Sequence, residues 1–283
     1  MDGDLHIIAD ELNLHTLSIE DAVSRHQRSK LDRYEDYLFL NAYDVSLDMA
    51  TGQLGTSEVS AFIAKSALVT VRDNAQFDVD ALIDRWDSSP DLTGHGVSFL
   101  LHGLLDMLVD RHFEAVQSLD DGIEELEDIL FDERPRDPEV QRRSFELRKS
   151  LVTLRRVVLP MREVVNTLLR RDLHVVDDDM APYFQDVYDH VLRAAEWTES
   201  LRDLVTTILE TNLTIQGNRL NLIMKKLTGW AAVIAVPTAV TGFYGQNVPY
   251  PGFGKEWGFL LSVGVLFGTA GALYWAFKRR DWL

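Results

Sequence analysis

Leu227-Thr228-Gly229-Trp230-Ala231-Ala232-Val233-Ile234-Ala235-Val236-Pro237-Thr238-Ala239-Val240-Thr241-Gly242-Phe243-Tyr244 is a run of 18 residues without a charge, rich in Ala, Val and Ile. A second uncharged run, the 21 residues from Trp257 to Phe277, follows after a short polar turn. A helix needs about 20 mostly apolar residues to cross the hydrocarbon core, with about 17 as the lower bound. Both runs reach that length, and both lie far from the N-terminus, so neither reads as a signal peptide. Trp230, Trp257, Tyr274 and Trp275 put aromatic rings near the ends of the runs, where amphipathic rings favour the membrane interface. The competing reading is a pair of core helices in a soluble domain. Missing charges at this length, bordered by Lys225-Lys226 and Lys278-Arg279-Arg280, argue against it.

Basic residues orient the hairpin. Five Lys/Arg stand on its outer borders, whereas the connecting stretch 246–256 holds only Lys255. The positive-inside rule places both termini in the cytoplasm and the loop outside. The chain as a whole has a mean hydropathy of −0.09, too polar for a polytopic protein, so a large soluble body precedes the hairpin. The net charge of −17 divides into +4 from Lys225 onward and −21 before it. A body so acidic disfavours nucleic acid and anionic lipid as its partners. It suits a sensor of divalent cations, although solvated acidic faces are common. The absence of cysteine excludes disulfides and thiolate metal sites and fits a reducing compartment.

The body divides near residue 95. Before it come β-type runs at Tyr37–Leu40, Val59–Ile63 and Ala67–Val71, the last two joined by a tight Ala64-Lys65-Ser66 turn that predicts a hairpin. Helical periodicity brackets them, through Leu12, Leu14, Leu17 and Ile19 on one side and Phe77 to Trp86 on the other. This is a small α/β domain, and Ser88–Gly94 is its linker. Beyond it, Val97 to Phe131 has apolar residues at spacings of three and four. Pro138 suits the first turn of the next helix, which is expected to reach about Arg171. Pro182 opens a third helix with no stop signal before Pro237. At 1.5 Å per residue it forms a rod of roughly 90 Å, a stalk that carries the first span into the cytosol.

These stretches resemble the CorA family of divalent-cation channels. The resemblance is carried by Asn221–Thr228, Pro237-Thr238, Gly242-Phe243-Tyr244-Gly245-Gln246-Asn247 and the closing Lys278–Leu283. Upstream, Ile19–Lys30 and Pro182–His190 resemble the family's cytosolic domain. The likeness covers essentially the whole chain. It departs in Gln246, where the family's commonest loop has Met, and in a stretch 248–256 whose single carboxylate is Glu256. In the family, strands precede the helix that begins here near Asp4, so the sheet is expected to lack its first strands. The expected fold is an α+β membrane protein: a small cytosolic α/β domain (1–94), a long helical stalk bundle (95–224) and a hairpin of two transmembrane helices (225–283).

The resemblance implies an uptake channel for Mg²⁺, with Co²⁺ and Ni²⁺ as further candidates, built as a homopentamer in the cell inner membrane. Five copies of one helix would line the path, each pore residue becoming a ring. Tyr244, Gly245, Gln246 and Asn247 would form the selectivity loop, in which the Asn247 amide and Gly245 carbonyl hold a hydrated cation. Mg²⁺ dehydrates reluctantly, so acceptor oxygens facing its waters suit it. Thr238 and Gly242 would lie further in. Asn221, Met224 and Leu227 would form a polar ring and hydrophobic gate, although packing against neighbouring helices explains the same spacing. Glu210 would stand in an acidic ring at the cytosolic exit, or on the solvated stalk. Asp21 and Asp186 would share a regulatory Mg²⁺ across subunits, with a local cap or salt bridge at Asp21 as the alternative. The acidic run Asp120-Asp121, Glu124-Glu125 and Asp128 reads as a solvated face. His26, His174 and His190 read as structural. No phosphate-binding loop, catalytic constellation or organic cofactor motif appears, so the chain is not expected to be an enzyme. Two rivals remain: a proton-coupled Zn²⁺ transporter of the same superfamily, kept open by Gln246, and a non-conducting membrane-anchored scaffold.

Overall fold

A computed structural model describes residues 2–24, 28–48, 51–131, 137–170, 173, 175–246, 249–280 and 282. It divides into two compact units, residues 1–209 and 210–283.

The first unit opens with two short helices, α1 (Asp2–Glu11) and α2 (Thr16–Val23). The single periodicity expected across Leu12–Ile19 is broken here. Asn13 takes φ 51°, a left-handed position that Asn tolerates, and the His15 ring Nδ1 then accepts from Leu17 N–H at 3.1 Å to cap α2. Four strands follow, β1 (Lys30–Arg33), β2 (Tyr37–Asp48), β3 (Gln53–Ala64) and β4 (Leu68–Arg72), in the antiparallel order β1-β2-β3-β4. The sheet of this small domain is antiparallel throughout, with no helical crossover between its strands among the described residues. The expected hairpin turn holds, with Ala64 N–H donating to Ala67 O at 2.9 Å. β1 was not anticipated, and β2 runs eight residues past the apolar stretch that announced it.

Alternation along the strands makes two buried faces. Tyr37, Phe39 and Phe62 pack with Leu14, Ala22, Val69 and Val71 on one side. Leu38, Leu40, Ala42, Ala61 and Ile63 point the other way, and α4 (Val97–Phe131) and α5 (Asp137–Leu168) pack on the sheet. Ser150 of α5 fastens the β2–β3 hairpin by donating to Gly52 O at 2.7 Å and accepting from Leu54 N–H at 3.3 Å. The linker expected at Ser88–Gly94 is a 3₁₀ turn, Pro90–His95, that follows α3 (Val79–Asp87). Asp78 caps α3, its carboxylate accepting from Ala81 N–H at 3.0 Å. Trp86 at the end of α3 lies where a Cβ on Gly103 would stand, 2.5 Å from its Nε1, so only glycine lets α3 close on α4.

His112 of α4 is fully buried. Its Nε2–H donates to Tyr43 O at 2.8 Å, which leaves Nδ1 buried without a partner among the described residues. Burial pulls the imidazole down to about 4. The depressed value means that the unfolded chain takes up this proton first. The stabilisation is complete above about pH 6.5 and is lost as pH falls toward 4, a total of about 3 kcal/mol. Denaturant unfolding in detergent should show that pH slope, and His112→Gln should flatten it. Equal slopes would contradict the buried neutral imidazole.

α6 (Ala181–Tyr244) runs as one helix of 64 residues, through Pro237, as its lack of stop signals predicts. Within the second unit it is followed by α7 (Glu256–Arg279). Both helices carry an apolar stretch long enough to cross a membrane. Leu213, Leu220, Ile223, Leu227, Ile234, Phe259 and Phe267 are each at least 60 % exposed. An exposed apolar surface of that extent marks contact with lipid or with further protein.

Candidate functional site

The turn that ends α6 is built by its own backbone. Gly245 N–H donates to Thr241 O at 2.8 Å and Gln246 N–H to Phe243 O at 3.3 Å, so the chain leaves the helix at Gly245-Gln246. Asn247 lies outside the described residues. Behind the turn, Tyr250 meets Tyr244 edge-on at 5.0 Å and Phe253 at 5.3 Å. A cleft of about 460 Å³ opens beside them, lined by Thr241, Tyr244, Gly245, Lys255 and Ser262. Gly252, at φ +91°, crosses over Gly258 so closely that a Cβ on Gly258 would run into Gly252 O. Backbone cannot yield as a flexible side chain does. Gly258→Ala should therefore push the returning loop off α7 and cost about 1–3 kcal/mol, read as a lower Tm in detergent. An unchanged Tm would mean that the crossing is looser than it stands here.

Along α6 the expected pore residues are exposed. Met224 and Leu227 are 57 % and 61 % exposed, and Asn221 and Glu210 also face outward. Thr238 donates its hydroxyl proton to Ile234 O at 2.9 Å. What it presents outward is oxygen lone pairs, the right chemistry for the waters of a hydrated cation. A Cβ at Gly242 would meet nothing within 4 Å, so the backbone there faces open space.

In the first unit, Asp21 of α2 is already engaged. Its Oδ2 accepts from the Lys30 ammonium at 2.6 Å, and Lys30 also bridges to Asp32 at 2.7 Å. Burial works against the Lys30 charge, but the hydrogen bonds to both carboxylates hold its pKa above the ordinary value. The salt-bridge alternative at Asp21 thus stands within one chain. Asp186, near the start of α6, is 68 % exposed with His190 Nδ1 4.0 Å away.

One cluster was not legible from spacing. Asp106 and Asp110 on α4 and His190 on α6 have ligand atoms all within 4.8 Å of one another, a geometry that can hold a metal ion. His190, which spacing alone left as structural, stands at this cluster. The cluster already holds a cation: the Arg85 guanidinium reaches Asp106, and its Nη2 donates to Asp110 at 2.5 Å. Burial pushes the Asp106 carboxyl up, against the pull of Arg85. His102 lies edge-on to Tyr183 and Phe184, and burial lowers its pKa. The only sequence signal was the i, i+4 spacing of Asp106 and Asp110. His26 and His174 lie outside the described residues, and the acidic run 120–128 is largely solvent-facing in this chain.

Comparison with known proteins gives a consistent result. A family model described as "CorA-like Mg2+ transporter protein" matches residues 1–279. The chain is 31 % identical to the cobalt/magnesium transport protein CorA of Thermotoga maritima, over 98 % of this chain and 79 % of that protein. It is 26 % identical to the zinc transport protein ZntB of Yersinia pseudotuberculosis, over 90 % of this chain and 77 % of that protein. Among solved structures, the CorA magnesium transporter of Methanocaldococcus jannaschii has the same fold. Its TM-score is 0.81, at 22 % identity, over 100 % of this chain and 89 % of that chain.

Proposed function

The chain belongs to the CorA-like Mg²⁺ transporter family, a family of transporters and not enzymes, and from that premise we propose that it is a Mg²⁺ uptake channel that also passes Co²⁺ and Ni²⁺. The observation that carries the reading is α6 itself, one helix from the acidic first unit to the Gly245-Gln246 turn. Two spans cannot enclose a path, so the conducting form is a symmetric oligomer, which we take to be a pentamer around five copies of α6. Tyr244, Gly245, Gln246 and Asn247 form the outer ring, while Thr238 and Gly242 line the path below it. Met224 and Leu227 close it by dewetting, with Asn221 beside them and Glu210 at the inner exit. Both termini lie in the cytoplasm of a cell inner membrane. An inside-negative potential favours entry of a divalent ion by about 4.6 kcal/mol per 100 mV, so no nucleotide is needed. Internal Mg²⁺ shared between Asp21 and the partner's Asp186 closes the channel by relieving carboxylate repulsion.

Flux into proteoliposomes under an inside-negative potential tests this. Mg²⁺ and Co²⁺ uptake independent of a proton gradient is expected, and its absence would sink the channel reading. Gln246 and the likeness to ZntB favour one second reading, proton-coupled Zn²⁺ transport. Zn²⁺ uptake that follows an imposed pH gradient would establish it instead.

A further inference from the structure

Trp282 stands three residues beyond α7 and is tied to that helix twice. Its N–H donates to Phe277 O at 2.9 Å, and its ring stacks on Phe277, centroids 5.4 Å apart and 9° from parallel. The same ring carries the Lys225 ammonium of α6, 5.6 Å from its centroid. Five residues along α6, Trp230 meets Tyr274 of α7 with centroids 6.3 Å apart. These two bridges bracket Leu227. Two further basic residues at this level are engaged within α7: Lys278 lies over Tyr274 and Arg279 over Trp275. Lys225 is half-buried where Asn221, Met224 and Leu227 are exposed. Each residue advances about 100° around an α-helix, so Lys225 sits about 200° from Leu227, on the opposite side.

We propose that Trp282, through its cation–π contact with Lys225, is a positioning residue for the inner gate. It fastens the back of α6 to α7 and so resists the rotation that would swing Leu227 away from its constricting position. A ring face attracts a cation through its quadrupole, and the attraction strengthens where water is thinned, as at a membrane interface. Released, the Lys225 side chain would extend toward water and leave α6 free to turn. The proposal rests on the reading of Met224 and Leu227 as the gate.

The test uses the full chain in proteoliposomes and reads Mg²⁺ leak at saturating internal Mg²⁺. Lys225→Met and Trp282→Leu should each raise the leak about fivefold or more, the factor that about 1 kcal/mol supplies. The double variant should leak no more than either single one, because both break one contact. Lys225→Arg and Trp282→Phe keep a cation and a ring and should restore closure. Additive effects, or failure of both conservative variants, would mean packing alone and would overturn the cation–π assignment. Leu227→Ser is the control. If it raises the leak while Trp282→Leu does not, this inference fails and the gate reading stands. If Leu227→Ser changes nothing, the gate reading falls and this proposal with it.

Discussion

Replacing Asn247 with Leu is expected to reduce divalent-cation uptake at least about 100-fold while the protein still assembles. An amide oxygen accepts hydrogen bonds from the water shell of an ion that keeps its waters, and Leu is close in size but offers no acceptor. A hydrogen bond to a charged group contributes about 1.5–3 kcal/mol, and a ring loses several together. Two lost bonds at the low end already account for a factor of about 100, since about 1.4 kcal/mol is tenfold. The measurement is initial Mg²⁺ flux into proteoliposomes at fixed potential, with oligomer size checked in parallel. Wild-type flux through Asn247→Leu would remove the outer ring from the mechanism. Gln246→Met addresses ion choice separately. A changed ratio of Mg²⁺ to Zn²⁺ flux is expected if the middle residue of the loop faces the hydrated ion.

The second large effect concerns closure. Asp186→Asn should shift the internal Mg²⁺ needed to close the channel at least about tenfold upward. Of the two carboxylates, Asp186 is the cleaner to remove. Asp21 is bonded to Lys30 at 2.6 Å, so its replacement also leaves that ammonium with Asp32 alone of its two carboxylates. Asp186 is 68 % exposed, with His190 Nδ1 4.0 Å away. One carboxylate about 4 Å from a unit positive charge is worth about 4 kcal/mol at an effective dielectric of 20. Solvent screening at so exposed a group cuts that severely, and about 1.4 kcal/mol suffices for the expected factor. The readout is the midpoint of flux inhibition by Mg²⁺ loaded inside the vesicles. Unchanged midpoints in both Asp186→Asn and Asp21→Asn would refute the shared regulatory ion. The ion pair of Asp21 carries a consequence for regulation. Under the proposed regulation, a divalent ion arriving there would have to displace the Lys30 ammonium or drive it wholly onto Asp32, a competitor built into the site.

How much of this was readable in advance follows the range of the forces involved. Val97–Phe131 emerged with its bounds intact, and α6 ran through Pro237 as its sequence implied. In both, apolar residues recur every three or four positions and stop signals are local. β1 gave no such signal: Lys30-Leu31-Asp32-Arg33 is polar, and its pairing with Asn41–Leu38 depends on a partner strand. β2 hid its outer half because Asn41, Asp44 and Ser46 interrupt the apolar run. Asn41 is tolerated because its amide donates to Glu58 at 2.6 Å, a pairing that exists only in the β2–β3 register.

Sequence by itself determined the two apolar helices, the sign of the charge on either side of Lys225 and the turn at Gly245-Gln246. These depend on hydrophobic length and on charges counted along the chain, quantities that need no knowledge of neighbours. The tertiary structure alone decided that Asp21 is paired with Lys30, that Asp106, Asp110 and His190 converge around Arg85, and that Trp282 returns to Lys225. Ion pairs, metal geometry and cation–π contacts act over a few ångströms. The residues that make them stand up to about 84 positions apart in the chain, and only packing brings them within reach.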